Sequence, residues 1–132
     1  MSNFTKRILS ALVLGPLALI CVWMGGIWFA ALIAVVVVGG GSEWREMARL
    51  DKLGLGTLLI LGPFFIVVAT FFAGVTAGFL GLLFALVMVL CSFRATWSER
   101  RWAAVALLHL ACAALALLFL RQTPEFGRDL VF

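Results

Sequence analysis

The chain has 132 residues, the size of one small soluble domain, yet 65% of them are hydrophobic and only 12% are charged. That is about half the charged fraction of an ordinary globular protein, and so small a domain has too much surface per volume to hide this apolar excess from water. The mean hydropathy of +1.21 agrees, and the composition excludes a soluble enzyme or binding module.

The 16 charges divide the chain. None occurs from Ile8 to Ser42 (35 residues), from Leu53 to Phe93 (41 residues) or from Trp102 to Leu120 (19 residues). Uncharged apolar runs of 18 or more residues read as membrane spans. As helices the two long runs would extend roughly 52 Å and 62 Å, against a hydrocarbon core of about 30 Å, so each must fold back. The first breaks at Met24-Gly25-Gly26, between Trp23 and Trp28, and the second near Ala73-Gly74-Val75-Thr76. Gly62-Pro63 falls inside the third span and is placed to kink it. The expected architecture is an all-α, polytopic transmembrane bundle of five spans, at about 8–24, 27–43, 54–73, 76–93 and 102–120.

With the N-terminus in the cytoplasm, the cytoplasmic segments hold eight of the ten basic residues: Lys6, Arg7, Arg45, Arg49, Lys52, Arg94, Arg100 and Arg101. Arg121 and Arg128 fall on the other side. This asymmetry predicts N-terminus in, and the net charge of +4 then reflects orientation and anionic lipid, not nucleic acid. Lys6 and Arg7 ahead of an apolar stretch resemble a signal peptide, but no small-residue cleavage site follows, so the segment reads as an uncleaved first helix.

Few residues in the spans could carry chemistry. His109 is the one ionisable residue there, and such residues usually have a use. It shares a helix face with Ala106, Cys112, Ala113 and Ala116, small residues that let a neighbour approach, so a hydrogen bond to an adjacent helix is expected in preference to a proton relay. Cys21, Cys91 and Cys112 stand singly and read as buried apolar residues. Gly39-Gly40-Gly41-Ser42 lacks the Lys-Ser/Thr of a phosphate loop and reads as a closely packed helix end. Gly74-Val75-Thr76-Ala77-Gly78, with Gly81 one turn on, suits close packing within the chain or against another subunit, which leaves a homodimer open.

The richest polar segment is Glu43-Trp44-Arg45-Glu46-Met47-Ala48-Arg49-Leu50-Asp51-Lys52. It reads as a helix extension with Glu46 and Arg49 paired at i,i+3, or as a place where Arg45 and Arg49 contact a lipid phosphate. No cluster of acids suits a two-metal centre, and the residues offer no catalytic, cofactor-binding or metal site. After Arg121-Gln122-Thr123-Pro124-Glu125, an apolar run begins at Leu130-Val131-Phe132, as at the start of a further span. The expectation is the N-terminal part of a longer protein.

Two stretches carry a resemblance. Lys6-Arg7-Ile8-Leu9-Ser10-Ala11-Leu12-Val13-Leu14-Gly15-Pro16-Leu17, followed by Trp23-Met24-Gly25-Gly26-Ile27-Trp28-Phe29, resembles the first helix pair of bacterial phosphatidate cytidylyltransferases. Glu43-Trp44 resembles the Glu-Trp or Glu-Tyr that closes their second span. The likeness is strong over about residues 4–50 and looser beyond. It implies transfer of a cytidylyl group from CTP to phosphatidic acid, giving CDP-diacylglycerol and pyrophosphate in phospholipid biosynthesis, at the bacterial inner membrane. The family's Mg²⁺ and CTP ligands lie in a C-terminal block that has no match here. The resemblance thus implies that residues 1–132 alone are inactive and bind neither Mg²⁺ nor CTP. A fragment of a small multi-spanning transporter is the alternative, although such proteins show paired helix breaks and only Gly62-Pro63 offers one.

Overall fold

The computed structural model describes residues 3–50, 54–93 and 95–122, and side chains from Leu12 to Arg121 within those ranges. They form five helices and no strand: α1 (Asn3–Met24), α2 (Gly26–Met47), α3 (Leu55–Ala73), α4 (Val75–Leu90) and α5 (Trp97–Gln122). Both long apolar runs break where expected. Gly25 (φ 68°, ψ −156°) and Gly74 (φ 85°, ψ 174°) each separate two helices by a single residue. That backbone region is essentially reserved for glycine, so the turns are written in residue type as well as position.

Helices α3 and α5 form the centre. Each packs on the other and on both α2 and α4, whereas α1 touches α2 alone. Neighbours run antiparallel. Arg45 and Trp44 of α2 lie near Gly56 of α3 and Trp102 of α5, while Thr70 of α3 meets Gly78 of α4 and Leu115 of α5. The bundle therefore has a basic end, with the α2–α3 and α4–α5 connections, and a glycine end, with Gly25 and Gly74. One buried cluster joins Leu50, Leu59, Ile66, Leu82, Val89, Ala106 and Leu107; a second joins Phe29, Ile33, Val37, Val67, Ala114 and Leu118. Helices α2, α3 and α5 are long and apolar enough to cross a membrane; Leu12–Met24 and α4 are shorter apolar helices. The 16 residues of α4 rise only about 24 Å.

Small residues set the helix spacing. A Cβ on Gly41 would lie 2.7 Å from the Leu59 carbonyl oxygen. Pro63 has no N–H to give that carbonyl its i→i−4 bond, and the backbone of Gly41 packs against it, the setting of a weak but recurrent Cα–H contact between helices. Gly78 makes room for Thr70, whose hydroxyl is fully buried and donates to the Ile66 carbonyl at 2.6 Å. Close packing at Gly78 is as expected, while Gly74 serves as the turn.

Several expectations are corrected. Gly39-Gly40-Gly41-Ser42 lies inside α2, not at its end, because the helix continues to Met47. The fourth helix stops at Leu90 rather than 93, and the fifth begins at Trp97. Pro63 lies inside α3, as expected. Cys112 is exposed, as is Cys91 in the turn after α4, and Cys21 is half-buried. His109 is exposed too, together with Cys112, Ala113 and Ala116; only Ala106 of that face is buried. Helix α5 is apolar on all sides, so its sequence does not indicate which face turns inward.

Candidate functional site

At the basic end, α2 stops in a Schellman motif. The Leu50 N–H donates to the Arg45 carbonyl at 3.0 Å and the Arg49 N–H to the Glu46 carbonyl at 3.2 Å. This hydrogen-bond pattern places the residue after the cap in the left-handed region, where glycine is usual. Here it is Arg49, with φ 51°, the sole non-glycine residue of positive φ among those described. The conformation costs about 1–2 kcal/mol for a residue with a Cβ. Burial of Leu50, 2% exposed in the main cluster, holds the turn closed. Arg49 itself is exposed, so the structure presents its guanidinium outward. Since the helix has already ended, the expected i,i+3 pairing of Glu46 with Arg49 has no helical frame.

Arg45, the other candidate, is used differently. A Cβ on Gly56 would sit 2.6 Å from Arg45 Cδ and 2.8 Å from the Leu50 carbonyl oxygen. The arginine stem thus lies across the first turn of α3 with its Nε buried. Trp44 and Trp102, ring centroids 6.4 Å apart, mark the same level on α2 and α5, as aromatic residues do at a membrane boundary. Next to them, Arg100 donates to the Leu90 carbonyl at 3.2 Å, an acceptor that the end of α4 leaves over, and to the Ala95 carbonyl of the α4–α5 connection at 3.1 Å. Thr96 and Glu99 form a capping box: the Thr96 N–H donates to Glu99 Oε2 at 2.8 Å and the Glu99 N–H to Thr96 Oγ1 at 3.3 Å. The Thr-x-x-Glu spacing that announces it is plain in the sequence and could have set the start of α5.

Lys52, Arg94 and the polar stretch from Thr123 onward lie outside the described residues, as do the side chains of Lys6 and Arg7. At the glycine end, Arg121 reaches across the α1–α2 turn. A Cβ on Gly25 would collide with its Nη2 and lie 3.1 Å from its Nε. The Nη1 atom is buried there without a hydrogen-bond partner among the described residues. Sequence spacing gave no hint of this pairing.

A model of the cytidylyltransferase family matches residues 5–132. The chain belongs to this family. Proteins named phosphatidate cytidylyltransferase from Brucella abortus, Brucella suis and Brucella melitensis are each 31% identical to it over 134 residues, covering 96% of this chain and 47% of the relative. The chain thus spans about half the length of the curated relatives it matches. No solved structure matches. These findings support the family reading and give no support to a transporter. A family member of this helical, apolar make-up is a membrane protein.

Proposed function

We propose that this chain is the N-terminal membrane part of a phosphatidate cytidylyltransferase of a bacterial inner membrane, with the basic end in the cytoplasm. The observation that carries the reading is the 31% identity to proteins of that name across 96% of the chain. In the reaction, a phosphate oxygen of phosphatidic acid attacks the α-phosphorus of CTP. A new P–O–P linkage forms, the α–β bond breaks, and pyrophosphate leaves with the electron pair. Negative charge crowds at two phosphates, which such enzymes relieve with metal ions and cationic groups.

Mg²⁺ is the ion the family implies. No three His, Cys, Asp or Glu side chains converge among the described residues, so these residues do not form a cage for it. In this proposal CTP and Mg²⁺ are held by the remainder of the longer protein. This chain's part is to present phosphatidic acid. Arg49, exposed at the end of α2, contacts the headgroup phosphate, and Arg45 fixes the turn that carries Arg49 and adds its charge. A basic residue at such a surface contributes about 1 kcal/mol toward an anionic lipid.

The test replaces the matching half of the Brucella suis relative by residues 1–132. The chimera and the 132-residue chain are both assayed for CDP-diacylglycerol from CTP, phosphatidic acid and Mg²⁺. Turnover by the chimera alone is expected. Turnover by residues 1–132 alone would overturn the division of labour, and a well-inserted but inactive chimera would overturn the activity.

A further inference from the structure

Helices α3 and α4 pack closely toward the glycine end but leave a long groove on their outer side, a cavity of about 710 Å³. It runs along α3 from Gly54 and Thr57 at the basic end to Ala69, with Gly81 and Phe84 of α4 as its other wall. Thr57, exposed at the mouth, is the one lining residue with a polar side chain. The fifteen residue steps from Gly54 to Ala69 span about 22 Å, more than the roughly 15 Å of hydrocarbon in one leaflet.

With about 710 Å³ along that length, the groove has room for one hydrocarbon chain. The two ends differ in chemistry as a lipid's do. The mouth residues Gly54 and Thr57 flank Gly56, across which Arg45 lies, and Gly54 follows closely on the turn that exposes Arg49. Beyond the mouth the lining is wholly apolar.

We propose that the α3–α4 groove holds one acyl chain of an anionic phospholipid whose phosphate rests at the Arg49 turn. The site extends the Arg49 headgroup contact and rests on it for its charge preference alone. The groove fixes how far the chain runs before it meets Ala69, so it discriminates lipids by tail length as well as by headgroup.

The experiment is lipid titration of the purified chain in detergent by native mass spectrometry, with dioleoyl phosphatidic acid, dihexanoyl phosphatidic acid and dioleoyl phosphatidylcholine as probes. Ala69→Phe fills the far half of the groove, and Leu83→Phe adds the same ring on an exposed face of α4 outside it. Ala69→Phe is expected to weaken dioleoyl phosphatidic acid about tenfold and leave the six-carbon lipid unchanged, with Leu83→Phe like the parent for both. Arg49→Ala is expected to weaken both phosphatidic acids about fivefold and leave phosphatidylcholine unchanged. Equal affinities for Ala69→Phe and Leu83→Phe would overturn the groove. A loss at Ala69→Phe with none at Arg49→Ala supports the groove and removes the headgroup contact. A change in oligomeric mass for Ala69→Phe in place of lost lipid would identify the occupant as protein and overturn the proposal.

Discussion

Two connections in this bundle use the same device at opposite ends. At the basic end the stem of Arg45 lies across Gly56, and at the glycine end the guanidinium of Arg121 lies across Gly25, each where a Cβ would have no room. The difference is in what surrounds them. Arg45 and Gly56 are eleven residues apart in one helix–turn–helix, closed by a Schellman motif and the buried Leu50. Gly25 and Arg121 are separated by three intervening helices, and the turn has a backbone conformation open to glycine alone. Both turns have backbone hydrogen bonds, at Gly25 from its N–H to the Cys21 carbonyl at 3.1 Å and from the Phe29 N–H to its own carbonyl at 3.3 Å. Only the second depends on a glycine-specific conformation and a side chain distant in sequence. The glycine end is therefore the more fragile.

The largest effect should come from Gly25→Ala. The new Cβ is strained by φ 68° and collides with Arg121, and together these cost about 2–4 kcal/mol. Adding Arg121→Ala should recover the collision alone, about 1 kcal/mol of coupling in a double-mutant cycle, read from denaturant unfolding in mixed micelles. Full recovery would show that the backbone conformation is not the constraint.

Gly56→Ala should cost less, about 1 kcal/mol, because overpacking against Arg45 and the Leu50 carbonyl is partly offset by alanine's better helix propensity. Arg45→Ala should rescue it only in part, since the backbone oxygen stays in place. Complete rescue would make this end as dependent on one side chain as the other.

A gain is expected from Arg49→Gly. Relief of the left-handed conformation should raise stability by about 0.5–1 kcal/mol, while retention of phosphatidic acid over phosphatidylcholine falls. A loss of stability would show that the Arg49 side chain itself supports the turn. The smallest effect belongs to His109→Leu. The imidazole is exposed, so unfolding should change by no more than about 0.5 kcal/mol; a larger loss would reveal a hydrogen bond across α5.

The same contrast separates what the sequence made legible from what it did not. Charge-free runs, their lengths and the glycine breaks at Gly25 and Gly74 identified five helices, because hydrocarbon thickness and backbone stereochemistry act on nearby residues. The polar segment after Glu43 drew attention to Arg45 and Arg49. Their different uses stayed hidden, since one lies over a glycine on the next helix and the other sits beyond a helix end that no residue type announced. His109 and Cys112 were expected on a packed face but are exposed, because an apolar-all-round helix has no preferred face until its neighbours are known. The groove was illegible for a related reason: it is the space that two helices fail to fill.

The arrangement at Gly25 also has a consequence in time. Residue 121 leaves the ribosome 96 residues after residue 25, a delay of about 5–20 s at ordinary rates of synthesis. For most of that interval α1 and α2 are already made, yet the side chain that lies across their turn does not exist. Helix α1 has no buried residue among its described side chains and no neighbour but α2, so little else restrains it. The contact across its turn waits for the end of α5, and a ribosome stalled before Arg121 would leave the first helix made but unlatched.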